Sequence, residues 1–238
     1  MKYKLKKIFR FFGFDIIGYS PVLSNSAQVV KSLEINEIEL IFDVGANSGQ
    51  FAIEILEGGF KGDVVSFEPQ FNMHKICVQN SVKYSNWKVH SQCAIGEKID
   101  IVELNVSANS VSSSILMVND THINSAPQSK YISSESVNLI TLDSVFNEYY
   151  KKGANCALKI DTQGFEWPVL MGAINSLPNV TCIIIEMSLF PLYDGQKLWD
   201  EIYEYLKLKG FCMWAIQPGL IERSTGKTLQ MDCILVRG

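Results

Sequence analysis

The sequence predicts an α/β fold with a doubly wound, mostly parallel sheet, and three observations support this. Short apolar runs typical of buried strands alternate with segments of helical periodicity along most of the chain. The first run, residues 40–44, meets a glycine turn at 45–49 that leads into a helical pattern. Four runs end in an acidic residue, at the sheet edge where open α/β folds bind ligands: Asp43, Glu68, Asp161 and Glu186.

Composition indicates one folded domain. The chain has 238 residues, 47% of them hydrophobic and 19% charged, which is enough apolar material for a sizeable core. A formal net charge of −4 argues against nucleic acid as a partner, because phosphate binding normally requires a basic surface. The six cysteines form no C-x-x-C pair and lie mostly in apolar runs, which favours free thiols in a reducing cytoplasm. No apolar run reaches the ~18 residues of a membrane span, so we expect a soluble protein.

We expect residues 1–38 to form a helical, basic N-terminal segment packed on the core, ahead of a main domain of residues 39–238. Its first 19 residues carry basic side chains among aromatic and aliphatic ones: Lys2, Lys4, Lys6, Lys7 and Arg10. One interpretation is a helix that docks its apolar side on the core and leaves its lysines in solvent. The alternatives are peripheral contact with the anionic inner surface of a membrane and a flap over the substrate.

The glycine turn is the first candidate ligand site. Gly45 and Gly49 leave room for a ligand against the backbone, and the free N–H groups of the following helix point into the same space. Asn47 or Ser48 can cap that helix, which two glycines at 58–59 bring to an end. The expected cofactor contacts come from one short loop: Asp43, Gly45, Ala46, Asn47, Ser48 and Gly49.

The second buried run, residues 63–69, contributes Glu68. This residue follows Asp43 at close to the roughly 20-residue offset at which an acidic side chain accepts hydrogen bonds from a ribose diol. A lone carboxylate at a strand end is usually a cap or a surface charge. Its combination with the glycine turn predicts a ribose contact instead.

The middle of the chain continues the alternation and then becomes polar. Residues 71–82 are predicted as a helix, 87–94 as a third strand, and 99–106 as an extra strand or an extended arm. Residues 108–136 form a long polar stretch, which is either a substrate-side lid or a surface excursion. His122 within it is a candidate general base or, alternatively, a solvated loop histidine.

Periodicity returns in the C-terminal half: a short strand at 137–141, an amphipathic helix at 142–149, buried strands at 156–161 and 182–186, and a helix at 198–206. The last two strands, 211–217 and 231–237, are joined by a turn-rich link too short for a crossover helix. We therefore expect these two strands to pair antiparallel.

Several of these motifs together resemble the FkbM-type S-adenosylmethionine-dependent methyltransferases, over about residues 41–237: Asp43–Gly49, Phe67–Pro69, Thr141–Asp143, Lys159–Glu166, Ile185–Glu186 and Asp232–Arg237. The glycine turn and the acidic strand end alone indicate only the broad class I methyltransferase fold. The K-I-D-x-Q-G-x-E block, with T-L-D and the C-terminal G-K-T-L-Q-M-D, is more specific. The resemblance implies a Rossmann-like sheet of seven strands, mostly parallel with an antiparallel C-terminal hairpin, and helices on both faces. It also implies adenosylmethionine as methyl donor and, typically, O-methylation.

With that donor, the glycine loop is expected beneath the methionine and ribose, and Pro69, Cys93 and Ala94 are expected to border the adenine. Asp161 is expected between donor and acceptor. It binds the methionine ammonium, acts as general base, or with Glu186 holds a divalent cation such as Mg²⁺ that acidifies the acceptor hydroxyl. By the resemblance alone, the acceptor is a hydroxyl of a sugar, a glycan or a secondary metabolite.

Two other functions remain open at this point. An NAD(P)-dependent oxidoreductase shares the strand, glycine turn and second-strand acid, but the spacing here is G-x-x-x-G and not G-x-G-x-x-G. A non-catalytic module that binds adenosylmethionine or a partner would require loss of donor or strand-end residues. Those residues are intact in the sequence.

Overall fold

The computed structural model of the protein describes residues 2–14 and 19–238, without the side chains of residues 2–5 and 8. The strands are β1 (Leu40–Val44), β2 (Asp63–Phe67), β3 (Trp87–Val89), β4 (Ala94–Ile95), β5 (Asp100–Ser107), β6 (Tyr131–Ile140), β7 (Cys156–Ile160), β8 (Val180–Ser188), β9 (Phe211–Pro218) and β10 (Gln230–Arg237). The helices are α1 (Lys2–Phe11), α2 (Asn25–Ile35), α3 (Gln50–Glu57), α4 (Phe71–Ser81), α5 (Asp120–Ser125), α6 (Leu142–Tyr149), α7 (Glu166–Met171) and α8 (Trp199–Leu208). Within the described ranges, no helix is both long and apolar enough to cross a bilayer.

The main sheet has seven strands in the order β3-β2-β1-β7-β8-β10-β9. Strand β1 pairs in parallel with β2 and with β7, and β7 pairs in parallel with β8. Strand β10 lies between β8 and β9 and is antiparallel to both. The predicted fold class and the antiparallel C-terminal hairpin are confirmed. From β1 the chain first adds β2 and β3 on one side and later adds β7 and β8 on the other side. The carboxyl end of β1 is therefore the switch point at which such sheets bind ligands.

The central strands read as continuous apolar runs because helices cover both faces of the sheet. All five residues of β1 are buried. Phe42 faces one side and stacks on Phe146 of α6, with the ring centroids 4.8 Å apart. Ile41 faces the other side and belongs to the core that α2 and α3 cover. Burying a side chain of this size stabilises the fold by about 1.5–3 kcal/mol, so β1 anchors both halves of the core.

The predicted strand at 87–94 is wrong in its extent. Strand β3 stops at Val89, and β4 leaves the main sheet to pair in parallel with β6. The His90 N–H still donates to the Ser66 carbonyl at 2.9 Å, but the His90 carbonyl is bonded by the imidazole of His74 at 2.8 Å. A side chain of α4 thus takes the place of the hydrogen bond that a neighbouring strand would make to the His90 carbonyl. A pattern of apolar residues cannot reveal this substitution.

The second sheet has three strands in the order β4-β6-β5, and β5 and β6 form a long antiparallel pair. The predicted polar loop at 108–136 is therefore shorter, because β6 already begins at Tyr131 and α5 occupies part of the remainder. Residues 132–134 are all exposed on this strand. A strand with solvent on both faces has no alternation of apolar residues, so composition alone suggested a loop.

The N-terminal segment is expected to pack on the core, and the structure describes the side chains of only part of it. The described phenylalanines of this segment are exposed, with Phe9 at 39%, Phe11 at 85%, Phe12 at 67% and Phe14 at 65% of their full accessible area. Residues 15–18 of the same segment lie outside the described part. Helix α2 does pack on the sheet through buried residues, Leu33 among them.

Candidate active site

A cleft of about 490 Å³ opens at the carboxyl ends of β1, β2, β7 and β8. Most of the residues predicted for the site line it: Gly45, Ala46, Asn47, Glu68, Pro69, Cys93, Ala94, Asp161 and Glu186. The carboxyl ends of parallel strands meet at one edge, so residues far apart in sequence come together here. Asp43, Ser48, Gly49 and His122 are not among the lining residues.

The two glycines of the turn are required by the protein's own packing. Both have a left-handed backbone, with φ of +77° at Gly45 and +88° at Gly49. A Cβ atom at Gly45 would lie 1.8 Å from the carbonyl oxygen of Asp161, and one at Gly49 would lie 2.3 Å from the ring of Trp87. Glycine was expected at these two positions because a ligand needs the space, but the space that a Cβ atom would take is filled by the protein itself. The two glycines allow the end of β7 and an aromatic ring to approach the turn.

The predicted helix cap is also wrong. Gly49 itself is the N-cap of α3 and provides no side-chain bond. The Asn47 side chain accepts from the Ser48 N–H at 2.8 Å and from the Gln50 amide at 3.1 Å. Asn47 has a left-handed φ of 49° and uses its side chain to stabilise the turn.

Glu68 joins the end of β2 to the glycine turn. Its Oε2 accepts from the Asn47 N–H at 2.6 Å, and its Oε1 accepts from the Gln70 N–H at 2.7 Å. Burial raises the pKa of Glu68 to about 7, although these two hydrogen bonds oppose the shift. Each carboxylate oxygen has a second lone pair, so Glu68 can order the turn and still accept from a ligand hydroxyl.

Asp43 lies beneath the cleft and forms a buried ion pair. Its Oδ1 is 3.0 Å from Lys159 Nζ, and its Oδ2 accepts from the Ser66 hydroxyl at 2.7 Å. Lys159 also donates to the Gly45 carbonyl at 2.8 Å. Burial acts to lower the pKa of Lys159, but Asp43 and Asp161 outweigh it and the pKa is raised. The structure thus places Asp43 under the turn as a support, with Oδ2 hydrogen-bonded to Ser66 and Oδ1 facing the Lys159 ammonium.

Asp161 and Glu186 share the side-chain amide of Gln163. The amide nitrogen donates to Asp161 Oδ1 at 2.8 Å and to Glu186 Oε2 at 2.7 Å, and Tyr193 donates its hydroxyl to the amide oxygen at 2.9 Å. Gln163 has a left-handed φ of 55°, an uncommon conformation for a residue with a side chain. We did not single out Gln163 from the sequence, although it stands two residues after Asp161 in the K-I-D-x-Q-G-x-E block.

The site concentrates negative charge on the ends of β7, β8 and β10. Burial, followed by the neighbouring carboxylates of Asp161 and Asp232, raises the pKa of Glu186 well above its ordinary value. Asp232 faces Glu186 across the antiparallel pair, and burial followed by the charge of Asp161 raises its pKa to about 6. Asp232 was not predicted as a site residue. The observation that reveals it is the register of β10 against β8, which places Asp232 opposite Glu186. This register is known only from the paired strands.

The Mg²⁺ expectation gains no support from this geometry. The Gln163 amide nitrogen, a hydrogen-bond donor, lies between the two carboxylates that the metal interpretation required. Among the residues that the structure describes, no three His, Cys, Asp or Glu side chains form a group suited to a metal ion.

His122 does not reach the cleft. It lies in α5, is only 2% exposed, and packs edge-on against Tyr193 with the ring centroids 5.0 Å apart. Burial lowers the pKa of His122 to about 4. His122 is therefore neither the general base nor the solvated loop histidine that the sequence suggested. It is buried against Tyr193 and faces neither substrate nor solvent.

The first part of the polar loop forms a wall of the cleft. The Ser110 carbonyl accepts from the Asn47 amide at 3.3 Å, and the Ser114 hydroxyl donates to the Gln163 carbonyl at 2.7 Å. This segment therefore touches both the glycine turn and the turn after β7. Further lining residues that the sequence analysis missed come from α2, α3 and β9: Asn25, Ser26, Gln50, Phe51, Glu54 and Gln217.

The fold and the cleft at the switch point define a class I methyltransferase architecture. Residues 43–213 match the methyltransferase FkbM domain, which is most of the chain. The protein belongs to the FkbM methyltransferase family. Comparison with curated protein sequences gave no match.

Solved structures with the same fold include a methyltransferase FkbM from Methylobacillus flagellatus KT, at 14% identity and a TM-score of 0.52. The similarity covers 83% of this chain and 44% of that one, so the chain spans less than half the length of that protein. A putative O-methyltransferase from Klebsiella pneumoniae is similar at 8% identity, over 99% of this chain and 89% of that one, with a TM-score of 0.49. The magnesium protoporphyrin IX methyltransferase of Synechocystis PCC 6803, solved with bound adenosylmethionine, is similar at 11% identity, over 100% and 97%, with a TM-score of 0.47.

Proposed function

We propose that this protein transfers the methyl group of S-adenosylmethionine to a hydroxyl of a glycan or small-molecule acceptor. One observation carries the proposal. In a chain of the FkbM methyltransferase family, a single cleft is lined by Glu68 at the end of β2 and by Asp161 and Glu186 at the ends of β7 and β8. The first suits a ribose, and the other two suit an ammonium group and a reacting hydroxyl.

The residues present fit adenosylmethionine. The cleft volume of about 490 Å³ lies within the usual range for small-molecule sites. Glu68 would accept from the ribose hydroxyls, while Pro69, Cys93 and Ala94 would contact the adenine. When bound, adenosylmethionine supplies an electrophilic methyl group on a positively charged sulfur.

We assign different tasks to the two carboxylates held by Gln163. The Asp161 side chain is 42% exposed and so reaches into the cleft, where it would bind the methionine ammonium. Burial and the neighbouring carboxylates raise the pKa of Glu186, and a more basic carboxylate is better suited to take a proton from an acceptor hydroxyl. Gln163 and Gln230 both donate to Glu186 Oε2, at 2.7 Å each, and thereby orient the carboxylate.

We place the acceptor at the part of the cleft that polar side chains line. Its lining includes Asn25, Ser26, Gln217 and Asp232, which provide amide, hydroxyl and carboxylate groups. Such groups recognise a molecule rich in hydroxyls, which supports a sugar-like acceptor. The net charge of −4 supports an acceptor other than nucleic acid.

Two measurements on the full chain test the proposal. Adenosylmethionine, but not NAD(P), is expected to raise the melting temperature and to bind in calorimetry. Adenosylmethionine labelled in its methyl group is then incubated with fractionated cell extract, and mass spectrometry is expected to identify an O-methylated product. Stabilisation by NAD(P) alone would replace the proposal with an oxidoreductase. Donor binding without transfer in any fraction would replace it with a non-catalytic binding module.

A further inference from the structure

We propose that the N-terminal surface, formed by residues 6, 7, 9–12 and 14, docks on an anionic lipid membrane. Four phenylalanines of this surface are exposed, from 39% at Phe9 to 85% at Phe11. Exposed aromatic side chains clustered within six residues are unusual, because soluble proteins rarely leave contiguous apolar groups in water.

The order of residues in this segment is that of an interfacial helix. In the sequence, Leu5, Ile8 and Phe9 follow the i, i+3, i+4 spacing typical of one apolar helix face, and Phe12 comes directly after the end of α1. Lys2, Lys6 and Arg10 recur at every fourth position and share another face. A helix with an aromatic face beside a lysine-rich face lies in the plane of a membrane surface, with its apolar side among the lipid chains.

Charge selects lipid over a protein partner. The first 14 residues contain five Lys or Arg and no Asp or Glu, whereas the whole chain has a net charge of −4. This local excess of positive charge is complementary to the anionic headgroups of a membrane leaflet. Protein–protein interfaces are instead depleted in lysine, so a second copy of the chain is a poorer match for the same surface.

The length of α1 sets the manner of binding. Helix α1 has 10 residues, which correspond to about 15 Å at 1.5 Å per residue, half the thickness of a hydrocarbon core. The segment is therefore expected to lie on the bilayer and not to cross it, so that attachment is reversible and sensitive to salt.

The test is co-sedimentation of the full chain with vesicles of phosphatidylcholine alone and of phosphatidylcholine with phosphatidylglycerol. We expect binding to the anionic vesicles only, and weaker binding at high salt. Replacing Lys6 and Lys7 by Gln should reduce the partition constant about 25-fold, since each lysine near an anionic surface contributes about fivefold. Replacing Phe9 and Phe12 by Ser should reduce it about tenfold or more, because the apolar face is lost.

Matched controls separate the surface from general effects of charge and hydrophobicity. Lys151 and Lys152 are exposed elsewhere, and their replacement by Gln should leave vesicle binding unchanged. The same holds for Leu208→Ser, at a side chain that is 84% exposed. Unchanged melting temperatures of all variants exclude unfolding as the cause. Absence of binding to anionic vesicles would overturn the proposal, as would equal binding by the Phe9/Phe12 variant. Sedimentation velocity that shows a dimer lost in that variant, with no lipid binding, would assign the surface to a second copy.

Discussion

Lys159 Nζ lies 3.0 Å from Asp43 Oδ1 and 2.8 Å from the Gly45 carbonyl, so one buried ammonium ties the ends of β7 and β1 together beneath the glycine turn. The Lys159 side chain is only 8% exposed and that of Asp43 is fully buried. A pair of this kind holds the turn in place as long as both charges are present.

Lys159→Met should therefore lower the free energy of unfolding by about 3–5 kcal/mol, because Asp43 would be left as an uncompensated buried charge. Urea denaturation measures this. The control is Lys197→Met, which removes an exposed pair with Glu201 and should cost less than about 1 kcal/mol. Equal losses in the two variants would show that the buried pair has no special role in stability.

Glu68→Gln should weaken adenosylmethionine binding by about 10- to 100-fold, since a hydrogen bond to a charged acceptor contributes about 1.5–3 kcal/mol. Titration calorimetry at pH 8, where the Glu68 carboxyl is ionised, measures the affinity. Asp63→Asn is the matched control, because Asp63 is exposed at the opposite end of the same strand. Unchanged affinity in the Glu68 variant would remove this residue from the donor site.

Asp161→Asn should change the affinity for adenosylmethionine, whereas Glu186→Gln should change kcat. The Asp161 variant is expected to bind adenosylmethionine more weakly, because the ammonium loses its counter-charge. The Glu186 variant is expected to keep donor affinity within about threefold and to lose about 10²- to 10⁴-fold in kcat, the usual range for a general base. Calorimetry and steady-state kinetics separate the two effects. If the two phenotypes are exchanged, the proposed roles are exchanged as well.

Glu166 should make the ligand-free protein less stable as the pH rises. Its carboxylate accepts from the Thr162 N–H at 3.0 Å and the Gly164 N–H at 3.1 Å, yet burial raises its pKa from 4.5 to about 7. Between these values the folded state binds more protons than the unfolded state, so stability is lost as the pH rises from about 4.5 to above 7. Urea denaturation at pH 5 and pH 8 should show a smaller difference in Glu166→Gln, by up to about 3 kcal/mol. The exposed Glu57→Gln should leave the difference as it is, and an identical response of the two variants would contradict the assignment.

Methyl transfer should be insensitive to EDTA. The Gln163 amide lies between the carboxylates that a metal would need to bridge, so we expect kcat to change by less than about twofold after chelation. Loss of activity that Mg²⁺ restores would instead show a metal-dependent mechanism. A fluorescence-based activity assay in chelated buffer is sufficient for this comparison.

Much of the fold could be predicted because its signals are local. Continuous apolar runs mark the central strands, as β1 and β7 illustrate with every residue buried. The link before the last strand is too short for the crossover that parallel strands need, so the antiparallel hairpin could be predicted. The predicted extent of the third strand was wrong because the carbonyl of His90 bonds to a helix side chain and not to a strand. The start of β6 was missed because residues 132–134 are exposed on both faces, so the sequence there shows no alternation of apolar and polar residues.

The candidate site was predicted in part for a similar reason. The acids at the ends of β2, β7 and β8 follow from their position in the chain, because parallel strands share one ligand-binding edge. His122 was wrong as a cleft residue, since a polar sequence around a histidine does not report that the side chain is buried against Tyr193.

The amino-acid sequence alone was enough to predict the alternation of most strands and helices, the edge at which the acids meet and the family to which the chain belongs. The contacts that those residues make became known from the three-dimensional structure. Gly45 faces the Asp161 carbonyl, Lys159 supports Asp43, and Gln163 joins Asp161 to Glu186. The two kinds of information differ in the distance along the chain over which they act. Periodicity and turn chemistry act between residues a few positions apart, whereas these contacts join separate strands and exist only when the sheet has paired in register.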